Sequence, residues 1–253
     1  MIALITGATS GIGKSTAEIF AKNGYDVIIT GRRKEKLELL KTEFEKKFTV
    51  KVLPLCFDIR KQSEVENSIF MLPSEFKKID VLVNNAGLAA GMAPIQDGNT
   101  DHWERMIDTN IKGLLYISKC VSKLMIEQKK GHIINVGSIA GKEAYPNGNV
   151  YCATKHAVDA LNKCMRIDLL SHHIKVSSVN PGLAETEFSI VRFDGDEEKA
   201  KKVYAGMKPL LAEDIAETIY WMTTRPAHVN INDIIIVPAD QANSTTVLRT
   251  PNA

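Results

Sequence analysis

The chain has 253 residues, 44% of them apolar and 25% charged, which excludes a disordered or fibrous polypeptide and allows a large core without disulfides or metals. Its 32 basic residues nearly cancel its 30 acidic ones, leaving a net charge of +2, so the charge argues for neither nucleic acid nor an anionic membrane as a partner. Four scattered cysteines without a CxxC pair, and no apolar run near the ~20 residues that cross a bilayer, point to a cytoplasmic protein with reduced thiols.

The chain opens on Ile2-Ala3-Leu4-Ile5-Thr6 with no basic region and no cleavage site, so this segment reads as a first strand, not an export signal. It runs directly into Thr6-Gly7-Ala8-Thr9-Ser10-Gly11-Ile12-Gly13, where a helical pattern begins. A dinucleotide pyrophosphate needs unpaired backbone N–H groups at a helix N-terminus and no Cβ in the way, and glycine supplies both the tight turn and the close approach. Gly7, Thr9, Ser10, Gly11, Ile12 and Gly13 are therefore candidate cofactor residues. The plainer reading of three glycines, a tight strand-to-helix turn, is weakened by their place after the first strand. The GxxxGxG spacing differs from GxGxxG, so the turn should have its own shape.

A second strand, Val27–Thr30, ends at Gly31-Arg32-Arg33. An acid here would hold the adenosine ribose of NAD; it is missing, and two guanidiniums follow, which suit the 2′-phosphate of NADP. Arg33 is also readable as a solvated helix-start charge. Further apolar runs follow at Val50–Cys56, Val81–Asn84, His132–Val136, Lys175–Asn180 and Ile234–Val237, mostly rich in Val and Ile, as expected of strands buried on both faces. Helical patterns separate them. One is read as a single helix from Trp103 through Met106, Ile107, Leu114, Leu115 and Val121 to Leu124. Seven strands alternating with helices predict one α/β domain, a doubly wound parallel sheet. Residues 238–253 form a tail without a readable pattern. Lysine-rich stretches such as Lys41–Lys51 read as solvated helix faces, and the histidines lack metal-ligand spacing, so no metal is expected.

Tyr151 and Lys155 lie four apart, on one face of a predicted helix. With six tyrosines and 32 basic residues such a pair is nearly an expected coincidence. Ser138, just past the fifth strand, improves the context, because open α/β sheets bind ligands at the carboxyl ends of their strands. Together with Asn84-Asn85-Ala86-Gly87, Asn110-xx-Gly113 and Asn180-Pro181-Gly182, these motifs resemble the short-chain dehydrogenases/reductases from Ile2 to about Pro238.

That resemblance implies a Rossmann-type fold and a catalytic tetrad of Asn110, Ser138, Tyr151 and Lys155. A phenol is too weakly acidic for a base at neutral pH, and a neighbouring ammonium is expected to lower its pKa. In the family the lysine also holds the nicotinamide ribose and the asparagine supports a water relay. The resemblance further places Asp58 and Ile59 beside the adenine, Asn85 in the cofactor groove, and Pro181, Gly182, Leu183, Thr186 and Phe188 over the nicotinamide. It implies a homotetramer as well, with the patterns at Trp103–Leu124 and Thr154–Leu170 as candidate interfaces.

More narrowly, Gly31-Arg32-Arg33, Asn147-Gly148-Asn149-Val150-Tyr151 and the segment from Pro181 to Phe193 look like the NADP-dependent 3-hydroxy acid dehydrogenases that also oxidise serine and allo-threonine. The alternatives are reduction of another carbonyl (a 3-oxoacyl thioester or a pteridine side chain) or a non-catalytic NADP-binding regulator; an intact tetrad argues against the regulator. Arg192 is the candidate partner of a substrate carboxylate. Its competing reading is a surface arginine paired with Asp194, Asp196 or Glu197.

Overall fold

The computed structural model describes residues 1–250; the last three residues of the tail lie outside that range. Strands β1 (Ile2–Ile5), β2 (Asp26–Gly31), β3 (Val52–Cys56), β4 (Val81–Asn84), β5 (Gly131–Val136), β6 (Ile174–Pro181) and β7 (Asp233–Ile236) form one parallel sheet in the order β3-β2-β1-β4-β5-β6-β7. The predicted class is confirmed. β1, β4 and β5 are buried throughout and β6 nearly so, whereas the edge strands β3 and β7 are only partly covered. The continuous apolar pattern thus overstated burial at the two edges, and Pro54 is tolerated in β3 because an edge strand can spare an N–H.

Alternate residues of each strand point to opposite faces. Ala3, Ile5, Val27, Ile29, Val81 and Val83 pack beneath α1 (Gly11–Lys22), α2 (Lys34–Lys47) and α9 (Ala212–Thr223), through Phe20, Phe44 and Ile219 among others. Leu4, Ile28, Leu82 and Ile133 face α3 (Gln62–Phe70) and α5 (Leu114–Glu127), through Val65, Ile69, Ile117 and Met125. The order in which successive strands are added switches between β1 and β4, and a crevice opens beyond their carboxyl ends.

The single helix predicted from Trp103 to Leu124 is two helices. α4 (Thr100–Ile107) is joined to α5 by a π-helical turn, Asp108–Gly113, a wider winding that keeps the apolar spacing while shifting its phase. The remaining helices are α6 (Asn149–Asp168), α7 (Glu187–Arg192) and α8 (Glu197–Lys202). The patternless tail is held by long-range bonds: Gln241 Oε1 accepts from the Leu183 N–H at 2.8 Å, and the Thr250 N–H donates to Gly206 O at 2.8 Å.

His132 is the core's pH-sensitive point. Its Nε2 lies 2.8 Å from Ser177 Oγ, which itself donates to Asn230 Oδ1, so Nε2 is the donor of that contact. Burial, with Lys175 adding repulsion, lowers its pKa to about 4. Between there and the ordinary value of 6.5 the unfolded chain binds the extra proton, so stability falls as pH drops through that window, by about 3 kcal/mol in all. Denaturant melts from pH 7 to 4 are expected to show this loss in the native chain and a shallower one in His132→Gln.

Candidate active site

A cavity of about 440 Å³ occupies the crevice. Its floor at one end is the glycine loop. Gly7 and Gly11 sit at positive φ, +67° and +50°, and a Cβ on Gly13 would collide with the Gly7 carbonyl and the Asn85 amide. Asn85 in turn donates to Thr6 O at 2.8 Å, tying the end of β4 to the loop. The side chain of Ser10 does not cap α1, so the N–H groups of its first turn are left for an anion. A phosphate-bearing dinucleotide fits this cradle.

At the other end, Tyr151 and Lys155 project from α6, both buried, and Ser138 follows β5. Lys155 Nζ lies 6.0 Å from the Tyr151 ring centre and donates to Val136 O at 3.0 Å. The Ser138 hydroxyl is oriented by the Ala140 N–H, 3.1 Å away. Burial lowers the Lys155 pKa to about 8. The expected depression of the Tyr151 pKa is not what this geometry gives. Burial and the neighbouring Tyr145 raise it, and Ser138 and Arg192 offset them only in part. Desolvation outweighs the charges, so the phenol holds its proton at neutral pH.

Asn110 stands behind this group, in the π-helical turn. Its Nδ2 donates to Leu88 O and Thr154 Oγ1, and its Oδ1 accepts from the Leu88 N–H. Its side chain is thus a brace between α6 and the segment after β4, and it does not line the cavity. Asp58 is bound by the Arg60 guanidinium, and Ile59 packs against Gly113; neither reaches the cavity wall. Of the other expected residues, Gly7, Ser10, Gly11, Ile12, Gly13, Asn85, Pro181, Gly182, Leu183, Thr186, Phe188 and Arg192 all line it. Arg32 is exposed, and Arg33 is bonded to Thr9, Ser10 and Glu187.

Arg192 turns inward. Its guanidinium lies 5.4 Å from the Tyr145 ring centre and 5.5 Å from that of Tyr151 and donates to the Tyr145 hydroxyl, and its buried Nε has no hydrogen-bond partner among the described residues. Asp194 instead faces His102 and Arg105, and Asp196 pairs with Lys199, which removes the two nearest surface partners. Phe188 meets the Tyr151 ring edge-on at 5.7 Å. Tyr145, Tyr204 and Gln241 also line the cavity and were missed from sequence. Only Tyr145, six residues before Tyr151, lay near a motif.

A family profile described as short chain dehydrogenase matches residues 1–197. The chain belongs to this family. Among its curated relatives, the NADP-dependent 3-hydroxy acid dehydrogenase YdfG of Salmonella typhi is 46% identical over 243 residues, 96% of each chain. The serine 3-dehydrogenase of Agrobacterium fabrum is 43% identical over 239 residues, 94% of each. Among solved structures, the closed form of a serine dehydrogenase complexed with NADP+ superposes with a TM-score of 0.92 at 43% identity, covering 99% of this chain and 100% of that one.

Proposed function

We propose that the protein is an NADP-dependent oxidoreductase acting on a small 3-hydroxy acid or 3-hydroxy amino acid such as serine or allo-threonine. The carrying observation is Arg192, an inward guanidinium that lines the cavity together with Ser138 and lies 5.5 Å from the Tyr151 ring centre. A carboxylate two carbons from the reacting carbon is the natural chemical partner of such a fork. The names of the relatives support the same substrate class and cofactor.

When bound, the nicotinamide supplies the hydride acceptor or donor. The first-turn N–H groups of α1 hold the pyrophosphate, Thr186 and Lys155 the nicotinamide side, and Arg32 the 2′-phosphate. Ser138 positions the substrate oxygen. Tyr151 exchanges the proton with that oxygen, and as a protonated phenol it is set to donate in the reductive direction. Lys155 carries the charge that steadies the phenolate left behind. Asn110 keeps α6 in place. A cytoplasmic location and a homotetramer joined through α5 and α6 complete the proposal, the latter supported by the exposed Leu115, Ile167 and Leu170 on those helices and just beyond.

An NADP(H)-coupled screen over hydroxy acids, hydroxy amino acids and ketones tests the reading. Turnover restricted to uncharged ketones would overturn it. In the same assay Arg32→Ala should weaken NADPH binding by about ten- to a hundredfold, the loss of a charge-assisted bond, and leave NADH nearly unchanged. Restoring an acid for NAD at position 31 meets a steric obstacle, because a Cβ on Gly31 would lie 2.8 Å from the Thr9 γ-methyl.

A further inference from the structure

Arg33 and Glu187 are 154 residues apart in sequence and in contact at the mouth of the cavity. Every nitrogen of the Arg33 fork is in use. Nε donates to Thr9 Oγ1 at 3.0 Å, one terminal nitrogen to Thr9 Oγ1 and Ser10 Oγ at 2.7 and 2.9 Å, and the other to Glu187 Oε2 at 2.8 Å. Lys36 reaches the second carboxylate oxygen of Glu187 at 3.3 Å. Burial works against ionisation of Glu187, but Arg33 and Lys36 more than offset it, and the carboxyl stays below its ordinary pKa.

The two sides of this contact have different jobs. Arg33 and Lys36 stand at the start of α2, against the glycine loop. Glu187 is the first residue of α7, the helix that also carries Phe188 and Arg192 to the Tyr151 end of the cavity. Thr186, one residue earlier, already packs on Gly11, whose Cβ would lie 3.1 Å from the threonine Cβ. Arg32 differs from its neighbour, being exposed and without an acidic partner within salt-bridge distance among the described residues. One guanidinium is left for a phosphate; the other is committed to protein.

We infer that Arg33 and Glu187, with Lys36, form a latch that holds α7 across the dinucleotide groove and sets how long the cofactor stays bound, so that Arg33 is a positioning residue and not a ligand of the 2′-phosphate. The inference rests on the NADP reading above. Each ion pair is about 40% exposed and modest alone. Swinging α7 away breaks them together, and such changes are felt in dissociation more than in association.

The test is stopped-flow displacement of NADPH, read from its own fluorescence, for the native chain, Glu187→Gln, Arg33→Gln and the double variant, repeated with NADH. Each single variant should release NADPH about three- to tenfold faster, the double no faster than the faster single, and NADH should show the same factors. A defect of Arg33→Gln confined to NADPH, with Glu187→Gln unchanged, would make Arg33 a phosphate ligand and overturn the latch. Tighter NADPH binding by Glu187→Gln would overturn it too, by making the carboxylate a competitor of the phosphate. Lys36→Gln, a milder change on an exposed side chain, should give a smaller acceleration of the same kind, and no acceleration there with additive effects elsewhere also counts against it. If the native chain binds no NADPH, the cofactor reading falls; if it binds NADPH and the release rates do not move, only the latch does.

Discussion

Tyr151→Phe should lower kcat by about 10²–10⁴-fold while NADPH titrates as before. The ring remains, so its edge contact with Phe188 and its place beside Arg192 are kept, and only the exchangeable proton is lost. The size follows from general acid–base catalysis by one positioned group. Because burial holds the phenol protonated, the native enzyme should reduce carbonyls well at neutral pH and oxidise alcohols better as pH rises. The variant should lose that rise along with its rate. Steady-state kinetics in both directions, beside an NADPH binding isotherm, decide the matter. A variant that keeps most of its turnover would assign the proton to another group.

Arg192→Ala should raise KM for 3-hydroxypropanoate or serine by about ten- to a hundredfold, and that for an uncharged alcohol analogue little. The expected loss is that of a charge-assisted hydrogen bond, about 1.5–3 kcal/mol. The guanidinium also touches Tyr145, so Tyr145→Phe is the matching control: it removes the hydroxyl partner and leaves the fork. Parallel losses with acid and alcohol would mean that Arg192 merely holds α7 in place. A loss confined to acids identifies the carboxylate's partner directly.

The parallel sheet was legible because six of its strands announce themselves as short runs of Val, Ile and Leu bounded by turns, and because burial on two faces leaves no alternation to confuse them. Edge strands share that composition but not that burial, so β3 and β7 looked more central than they are. The glycine loop, Ser138, Tyr151 and Lys155 were legible because each lies in a motif of fixed spacing. Tyr204 and Gln241 were not, since nothing local marks a residue that reaches the cavity from a loop or from the tail, and Tyr145 stood near a motif without belonging to it. The Arg33–Glu187 contact was invisible for the same reason: it is made by topology, between the ends of β2 and β6. The pKa of Tyr151 was misjudged because a sequence shows which charges are nearby and not how deeply the group is buried.

The π-helical turn at Asp108–Gly113 amounts to one residue more than a regular helix would need. Asn110 lies inside that surplus, and its three bonds to Leu88 and Thr154 depend on the displaced phase. Deleting a single residue between 108 and 113 would let α4 and α5 merge into an uninterrupted helix, a gain in local regularity, and would rotate the carboxamide away from both partners. The two kinds of change are therefore unequal: a substitution at these six positions leaves the residue count and the wide winding intact, whereas a deletion exchanges the brace on α6 for a more regular scaffold.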